Sequence, residues 1–141
     1  MLRILLAEDN DLVRDGLTML INEVADLSVV SATSDGLEAL EYLKNNEVDI
    51  LMTDLHMPKM DGFQLMEELS RQKPEIRILV FSAFSNTTHI ARAFRAGASG
   101  YLTKDNSSDE LIFALRHVAM GKKYLSADVS MSIFEKHHQF D

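Results

Sequence analysis

Asp54 ends an apolar run, Val48-Asp49-Ile50-Leu51-Met52-Thr53, and leads into Leu55-His56-Met57-Pro58-Lys59-Met60-Asp61-Gly62. A carboxylate at the mouth of a buried strand, on a loop punctuated by Pro and Gly, is placed for chemistry. Glu8 and Asp9 end a second apolar run, Ser82 a third and Lys104 a fourth. Each has an ordinary explanation when taken alone: a solvated turn or helix cap for the acids, a surface charge for the lysine, and nothing at all for the serine. They gain weight together, because all of them fall at the carboxyl ends of their strands, where open α/β sheets bind ligands.

Acids sharing one crevice repel. Two like charges ~5 Å apart cost on the order of 3 kcal/mol at an effective dielectric near 20. A divalent cation relieves this, and Mg2+ suits carboxylate and phosphate oxygens with several retained waters. Lys104 adds a fixed positive charge. Metal and ammonium together keep Asp54 ionised and nucleophilic and attract a phosphoryl group, to which Ser82 can hydrogen-bond. The chemistry indicated is in-line attack by Asp54 on phosphorus.

The elements that must position these residues are legible. Apolar runs at Arg3–Ala7, Ser28–Thr33, Val48–Thr53, Ile76–Phe81 and Gly100–Thr103 are nearly continuous, as in parallel strands covered on both faces. Between them apolar residues recur at helical spacing: Leu12, Val13, Leu17, Leu20, Ile21 and Val24; Leu37, Leu40 and Leu43; Phe63, Leu65, Met66 and Leu69; Ile90, Ala91 and Phe94; Leu111, Ile112, Leu115, Val118 and Ala119. Asp11 and Asp35 read as helix caps, Ser107 to Glu110 as a capping box, Gly97 as a helix terminator and Pro74 as the break before the fourth strand. Gly16 inside the first helix costs about 1 kcal/mol against Ala, and close packing there is the plain explanation. The pattern predicts a doubly wound (βα)5 α/β domain with a five-stranded parallel sheet, of order 2-1-3-4-5 if the second strand lies outermost, the flavodoxin-like arrangement.

Composition narrows the function further. The chain has 141 residues, enough for one domain, and no Cys, which excludes disulfides and thiolate chemistry and fits a reducing, cytoplasmic setting. No apolar stretch reaches the ~20 residues of a membrane span, and the first residues read as a strand rather than a secretory leader. A formal charge of −8 with scattered Lys and Arg argues against nucleic-acid binding by this chain itself. The five His form no cluster at metal spacing, with His89 on a helix surface, His117 near a helix end and His137-His138 exposed in the tail.

With these residues in view the sequence resembles the receiver domain of two-component response regulators. The stretch Asp54 to Gly62 is similar to that family's phosphoacceptor loop. Glu8-Asp9 matches its acidic pair, Ser82-Ala83 its switch hydroxyl, and Gly100-Tyr101-Leu102-Thr103-Lys104 its lysine strand. The resemblance runs from about Met1 to Gly121. Leu12 to Leu17, Ala98 to Asp105 and the tail Gly121 to Ser126 resemble the LuxR-type (NarL/FixJ) branch.

The resemblance implies roles. Asp54 accepts phosphate from a sensor histidine kinase or phosphotransfer protein. Asp9, Asp54 and the His56 backbone carbonyl ligate Mg2+, with Glu8 acting through water. Lys104 pairs with the phosphoryl group, Ser82 moves toward it and Tyr101 turns inward behind it. His56 and Phe84 flank the site and modulate phosphoryl lifetime. Such a protein assists its own phosphorylation and dephosphorylation without being a dedicated enzyme, and homodimerises on phosphorylation through the first and last helices or through the fourth helix and fifth strand. Family members often carry Pro after the lysine; here Asp105 follows.

The resemblance divides the chain into a receiver, 1–121, and a linker or tail, 122–141, leading toward a helix-turn-helix output domain that is absent from this sequence. The chain then reads as a receiver cut at the linker, or as a stand-alone receiver. Tyr124 to Val129 reads as a turn and helix start with Val129, Ile133 and Phe134 on one apolar edge, either trailing away or folding back on the core.

Three other readings compete. A flavodoxin-like phosphate cradle needs a Ser, Thr or Gly-rich loop after the first strand, where Glu8-Asp9-Asn10-Asp11 stands instead. An Asp-nucleophile phosphatase wants a general acid two residues after Asp54, where His56 stands, and a substrate-binding insertion, which does not appear. A receiver-like interaction module that is never phosphorylated has no use for the combination of Asp9, Asp54, Ser82 and Lys104.

Overall fold

The apolar runs lie side by side as a parallel sheet, and the amphipathic stretches between them cover its two faces. The strands are β1 (Leu2–Ala7), β2 (Leu27–Thr33), β3 (Ile50–Thr53), β4 (Arg77–Ser82) and β5 (Gly100–Thr103). The helices are α1 (Asp11–Asn22), α2 (Gly36–Leu43), α3 (Gly62–Gln72), α4 (Thr87–Ala96) and α5 (Ser108–Ala119). The order is β2-β1-β3-β4-β5, as expected, with β6 (Tyr124–Leu125) added beyond β5. A helix α6 (Ala127–His138) follows. This computed structural model describes residues 1–138, with only the backbone of Asp128, Ser132, Lys136, His137 and His138. The expected exposure of His137-His138 therefore falls outside the described side chains. No helix among the described residues is long and apolar enough to cross a membrane.

Alternation along the strands sorts the core into two layers. Ile4, Leu6, Ile50, Met52, Leu79 and Leu102 face one side, where Leu17 and Ile21 of α1 and Leu115 and Val118 of α5 meet them. Leu5, Leu51, Ile78, Val80 and Tyr101 face the other, beneath residues of α2, α3, α4 and α6. Burying a Leu or Ile fully contributes about 1.5–3 kcal/mol, so both layers hold the sheet. Three residues assigned to apolar helix stripes lie outside them: Leu12 and Leu37 are exposed, and Ala91 yields its expected place on α4 to Ala93 and Ala96.

Capping differs in detail from the sequence reading. Asn10, not Asp11, caps α1, its side chain accepting from the Val13 N–H at 3.0 Å, while Asp11 sits in the first turn where its charge favours the helix dipole. Asp35 caps α2 as expected. The reciprocal capping box stands at α3, between Asp61 and Gln64. At α5 the box is half made: Ser107 accepts from the Glu110 N–H, but the Glu110 carboxylate takes the Tyr124 hydroxyl instead. Gly97 closes α4 in the left-handed region at φ 119°. Gly16 is not closely packed, since a Cβ there would meet nothing within 4 Å. Gly16→Ala is expected to stabilise the fold by roughly 0.5–1 kcal/mol, read as a higher urea midpoint at unchanged slope.

The tail folds back. β6 pairs in parallel with β5, Val129 is fully buried against the core, and α6 packs on α4 and β5. Ile133 and Phe134 do not share this edge; both are exposed.

Candidate functional site

Strand order reverses at β1, between β2 and β3, and the carboxyl ends of the strands converge there. The sheet ladder runs one residue beyond three of the strands. The Glu8 N–H donates to the Thr33 carbonyl at 3.0 Å, the Asp54 N–H to the Ala7 carbonyl at 3.1 Å and the Lys104 N–H to the Ser82 carbonyl at 2.9 Å. Three charged residues at the mouth are thus held by the backbone of the neighbouring strand. That is the local reason acids from distant parts of the chain meet.

Their side chains meet as well. The Lys104 ammonium donates to Asp54 Oδ2 at 2.7 Å and to Glu8 Oε1 at 3.0 Å. Asp54 Oδ1 accepts from the Leu55 N–H at 2.7 Å. Glu8 and Asp54 are buried, at 1% and 7% exposure, so their charges are poorly screened, whereas Asp9 is exposed. Burial pushes the Glu8 carboxyl above its usual range, opposed by the Lys104 hydrogen bond and reinforced by the Asp54 charge. Burial works against the Lys104 charge too, but the hydrogen bonds to Asp54 and Glu8 prevail and lift it above the usual lysine range.

The donor set fits a cation. Glu8, Asp9 and Asp54 each offer an oxygen, all within 4.8 Å of one another, and no other such trio stands among the described residues. Glu8 Oε2 is buried with no hydrogen-bond partner, although a buried carboxylate oxygen is costly to leave unpaired. Arg14 braces the acidic turn from α1, its guanidinium donating to the Glu8 carbonyl at 2.8 Å.

The loop that follows Asp54 is pinned at both ends. Gly62 lies so close that a Cβ would stand 2.2 Å from the Asp54 carbonyl oxygen and 2.9 Å from Leu55 Cα. The Gly36 N–H donates to the Met60 carbonyl at 3.0 Å, and Lys59, in the left-handed region at φ 68°, lies 3.8 Å from the buried Asp35 carboxylate. A non-glycine residue held at positive φ costs of order 1 kcal/mol or more, so this loop conformation is imposed by its surroundings.

A hydroxyl pair sits behind the acids. Ser82 Oγ is buried and accepts from the Phe84 N–H at 3.1 Å. Tyr101 is buried and already turned inward, its hydroxyl donating to the Phe84 carbonyl at 2.5 Å. Burial raises the phenol above its ordinary range, a hydrogen bond from Ser82 opposes this and the Asp54 charge adds to it. Lys104 and Asp105 occupy a tight turn closed by the Asn106 N–H on the Thr103 carbonyl at 3.2 Å, with no cis peptide among the described residues.

His56 and Phe84 meet edge to face across the mouth, ring centroids 4.7 Å apart. His89 is the residue sequence reasoning passed over. It is not a solvated surface side chain: it stacks on Phe84 at 4.9 Å and 7°, approaches His56 at 5.6 Å, and its Nδ1 lies 2.8 Å from Asn86 Oδ1. The signal was Asn86 three residues earlier, a cap that places His89 in the first turn of α4, next to the loop carrying Phe84.

Comparison with known proteins agrees with this geometry. Residues 4–116 match the family described as response regulator receiver domain. The chain is 28% identical over 133 residues to the response regulator UvrY of Escherichia coli (strain K12), covering 94% of this chain and 61% of that protein. It is 30% identical over 139 residues to the response regulator GacA of Pseudomonas aeruginosa, covering 99% of this chain and 65% of that protein. The chain therefore spans a little under two thirds of the length of these relatives. Among solved structures, a LuxR-family two-component response regulator from Aurantimonas sp. SI85-9A1 superposes with a TM-score of 0.92 at 31% identity, covering 97% of this chain and 98% of that one. The receiver domain of the putative response regulator NarL from Mycobacterium tuberculosis gives 0.82 at 30% identity, covering 86% and 98%. Sheet order, acid cluster and similarity converge, and the chain belongs to the response regulator receiver domain family, with LuxR/NarL-type two-component regulators among its homologues.

Proposed function

We propose that this chain is a phosphorylation-dependent switch that takes a phosphoryl group on Asp54 from the phosphohistidine of a sensor kinase or phosphotransfer protein in the cytoplasm. The observation that carries this is the Lys104 ammonium, hydrogen-bonded at once to Asp54 and Glu8 at the mouth of the sheet. A carboxylate oxygen of Asp54 forms the new P–O bond as the P–N bond breaks, its electron pair leaving on the imidazole nitrogen. The Leu55 N–H holds the carboxylate in place, and Lys104 swings a short distance from Asp54 Oδ2 to a phosphoryl oxygen. Asp9, Asp54 and the His56 carbonyl would hold Mg2+, with Glu8 acting through water, and the ion would supply charge that offsets the acids and the phosphoryl oxygens.

Ser82 then donates to the phosphoryl group, and the inward Tyr101 fills the space behind it. This small charge event biases a packed element that has two positions. The residues make the chain a party to its own phosphorylation and dephosphorylation rather than a dedicated enzyme. The relatives' extra length supports an output domain beyond α6, DNA-binding and transcriptional in its role. The −8 charge of this chain leaves nucleic acid to that domain, and phosphorylation favours a homodimer.

Intact-mass measurement after incubation with a small acyl phosphate and Mg2+ tests the assignment. Wild type is expected to gain a single phosphoryl adduct and Asp54→Ala none; an adduct on both, or on neither, contradicts it.

The rings of His56 and Phe84, backed by His89, screen the mouth from water. Phe84→Ala and His56→Ala are each expected to shorten the phosphoryl lifetime several-fold in single-turnover dephosphorylation. Rates equal to wild type would remove the role assigned to these rings.

A further inference from the structure

Without β6, β5 would be an edge strand, and Tyr101 would lie beside open solvent. Instead Tyr101 pairs with Leu125 across the sheet, and the Ser126 N–H donates to the Tyr101 carbonyl at 3.2 Å. α6 then turns back over α4 and β5. Val129, in its first turn, is wholly buried in the cluster that also holds Tyr101, Ile90 and Ala93. Tyr101 is therefore tied at its hydroxyl to Phe84 and at its backbone to Ser126, and its ring shares a buried cluster with Val129 of α6. Further along, Met131 and Glu135 border a cleft of about 670 Å3 whose opposite wall is Ala83, Ser85, Lys104 and Asp105. α6 thus reaches the loops of the site itself.

This contact is poised rather than permanent. Val129 gains from burial, but the Ser126 hydroxyl is buried with no hydrogen-bond partner, and an unmade buried hydrogen bond opposes docking. Beyond Val129, Met131 and Ile133 are exposed. Segments held by few buried contacts are the ones that open at low free energy.

We propose that α6 is a latch whose docking on α4 and β5 is coupled to the inward position of Tyr101. A phenol swung away from Phe84 toward the β5 edge enters the volume that β6 and α6 occupy, so an outward ring and a docked helix exclude each other. By linkage, whatever draws Tyr101 inward favours docking, and docking favours the inward ring. The latch carries the state of β5 to any chain that follows, and while docked it covers the α4–β5 face against other partners. The route from Asp54 to Tyr101 rests on the phosphoacceptor reading above; the coupling of Tyr101 to α6 does not.

Hydrogen exchange on the whole chain, in wild type and Val129→Asp, tests the coupling. Val129→Asp is expected to speed exchange at residues 126–134 on the order of tenfold, within the span usual for coupled sites, while amides of β1 and β3 stay protected and report an intact fold. In this variant, which leaves the phenol in place, Tyr101 is expected to become open to nitration by tetranitromethane, read by peptide mass. Unaltered exchange in Val129→Asp, or a Tyr101 that stays protected once α6 is released, overturns the latch. Wild type carrying the acyl-phosphate adduct is expected to exchange more slowly at 126–134. An adduct confirmed by mass with no slowing cuts the link from Asp54 to the latch, whereas failure to form any adduct counts against the phosphoacceptor reading and leaves Val129→Asp to decide the coupling.

Discussion

Lys104→Ala is expected to lower stability by about 1–3 kcal/mol in metal-free buffer, and excess Mg2+ is expected to return part of that loss. The ammonium bridges Asp54 Oδ2 and Glu8 Oε1 at 2.7 and 3.0 Å, and its side chain is 24% exposed against 9% and 2% for its partners. Removing one member of a mostly buried ion pair strands the other charge, at a cost of up to ~3–5 kcal/mol where burial is complete. Here the lysine's partial exposure lowers that figure. Two carboxylates are left facing each other, and a divalent cation relieves their repulsion in the place of the lost ammonium. The measurement is urea unfolding of wild type and variant with and without Mg2+. A loss of the same size in both buffers would mean that the acids do not share a cation with Lys104. The variant is also expected to form its adduct more slowly, since one fixed positive charge on the phosphoryl oxygens is gone.

The second large effect comes from a residue with no chemistry of its own. Gly62→Ala is expected to cost roughly 3 kcal/mol or more and to cripple phosphorylation, because the added Cβ stands 2.2 Å from the Asp54 carbonyl oxygen. The obstructing atoms are backbone, and the Gly62 N–H is itself tied to the Leu55 carbonyl at 2.9 Å, so neither side can yield without moving Asp54. Denaturant midpoints for Gly62→Ala and Gly16→Ala make a paired test, since the same substitution is expected to change sign between a glycine in contact and one in open space. A Gly62→Ala protein within about 1 kcal/mol of wild type would contradict the close approach.

These residues also mark what a sequence can disclose. The acid cluster was legible because all strands run parallel: once the apolar runs are seen, Glu8, Asp54, Ser82 and Lys104 must come to one edge, whatever their separation along the chain. Strand order followed from the same reasoning, since the second run alone ends without charge. What stayed hidden depended on partners brought together across elements. The Asn86 cap sets His89 beside the loop of Phe84, but residue type alone does not announce the stacked rings. Glu110 looked like half of a capping box until Tyr124 took its carboxylate. Asn10 and Asp11 are equally good caps by type, and only the backbone turn decides between them. Gly16 was read as packed because glycine in a helix is costly, yet it faces open space, a cost the sequence carries without a structural return. The tail is the instructive case. Tyr124 to Val129 showed too short a pattern to be told from a linker, and a two-residue strand gains its meaning only from the β5 edge waiting for it.

The central claim is that Asp54 is the phosphoryl acceptor, and chemical trapping tests it most directly. The chain is treated with a small acyl phosphate and Mg2+, reduced with borohydride, which converts an aspartyl phosphate to homoserine, and digested for peptide sequencing by mass spectrometry. Homoserine at position 54, and at no other carboxylate, is the result expected. Homoserine at Asp9 or another aspartate, 2-amino-5-hydroxypentanoic acid (the alcohol a glutamyl phosphate gives) at Glu8 or another glutamate, or neither product in a chain that gained the adduct, would contradict the account.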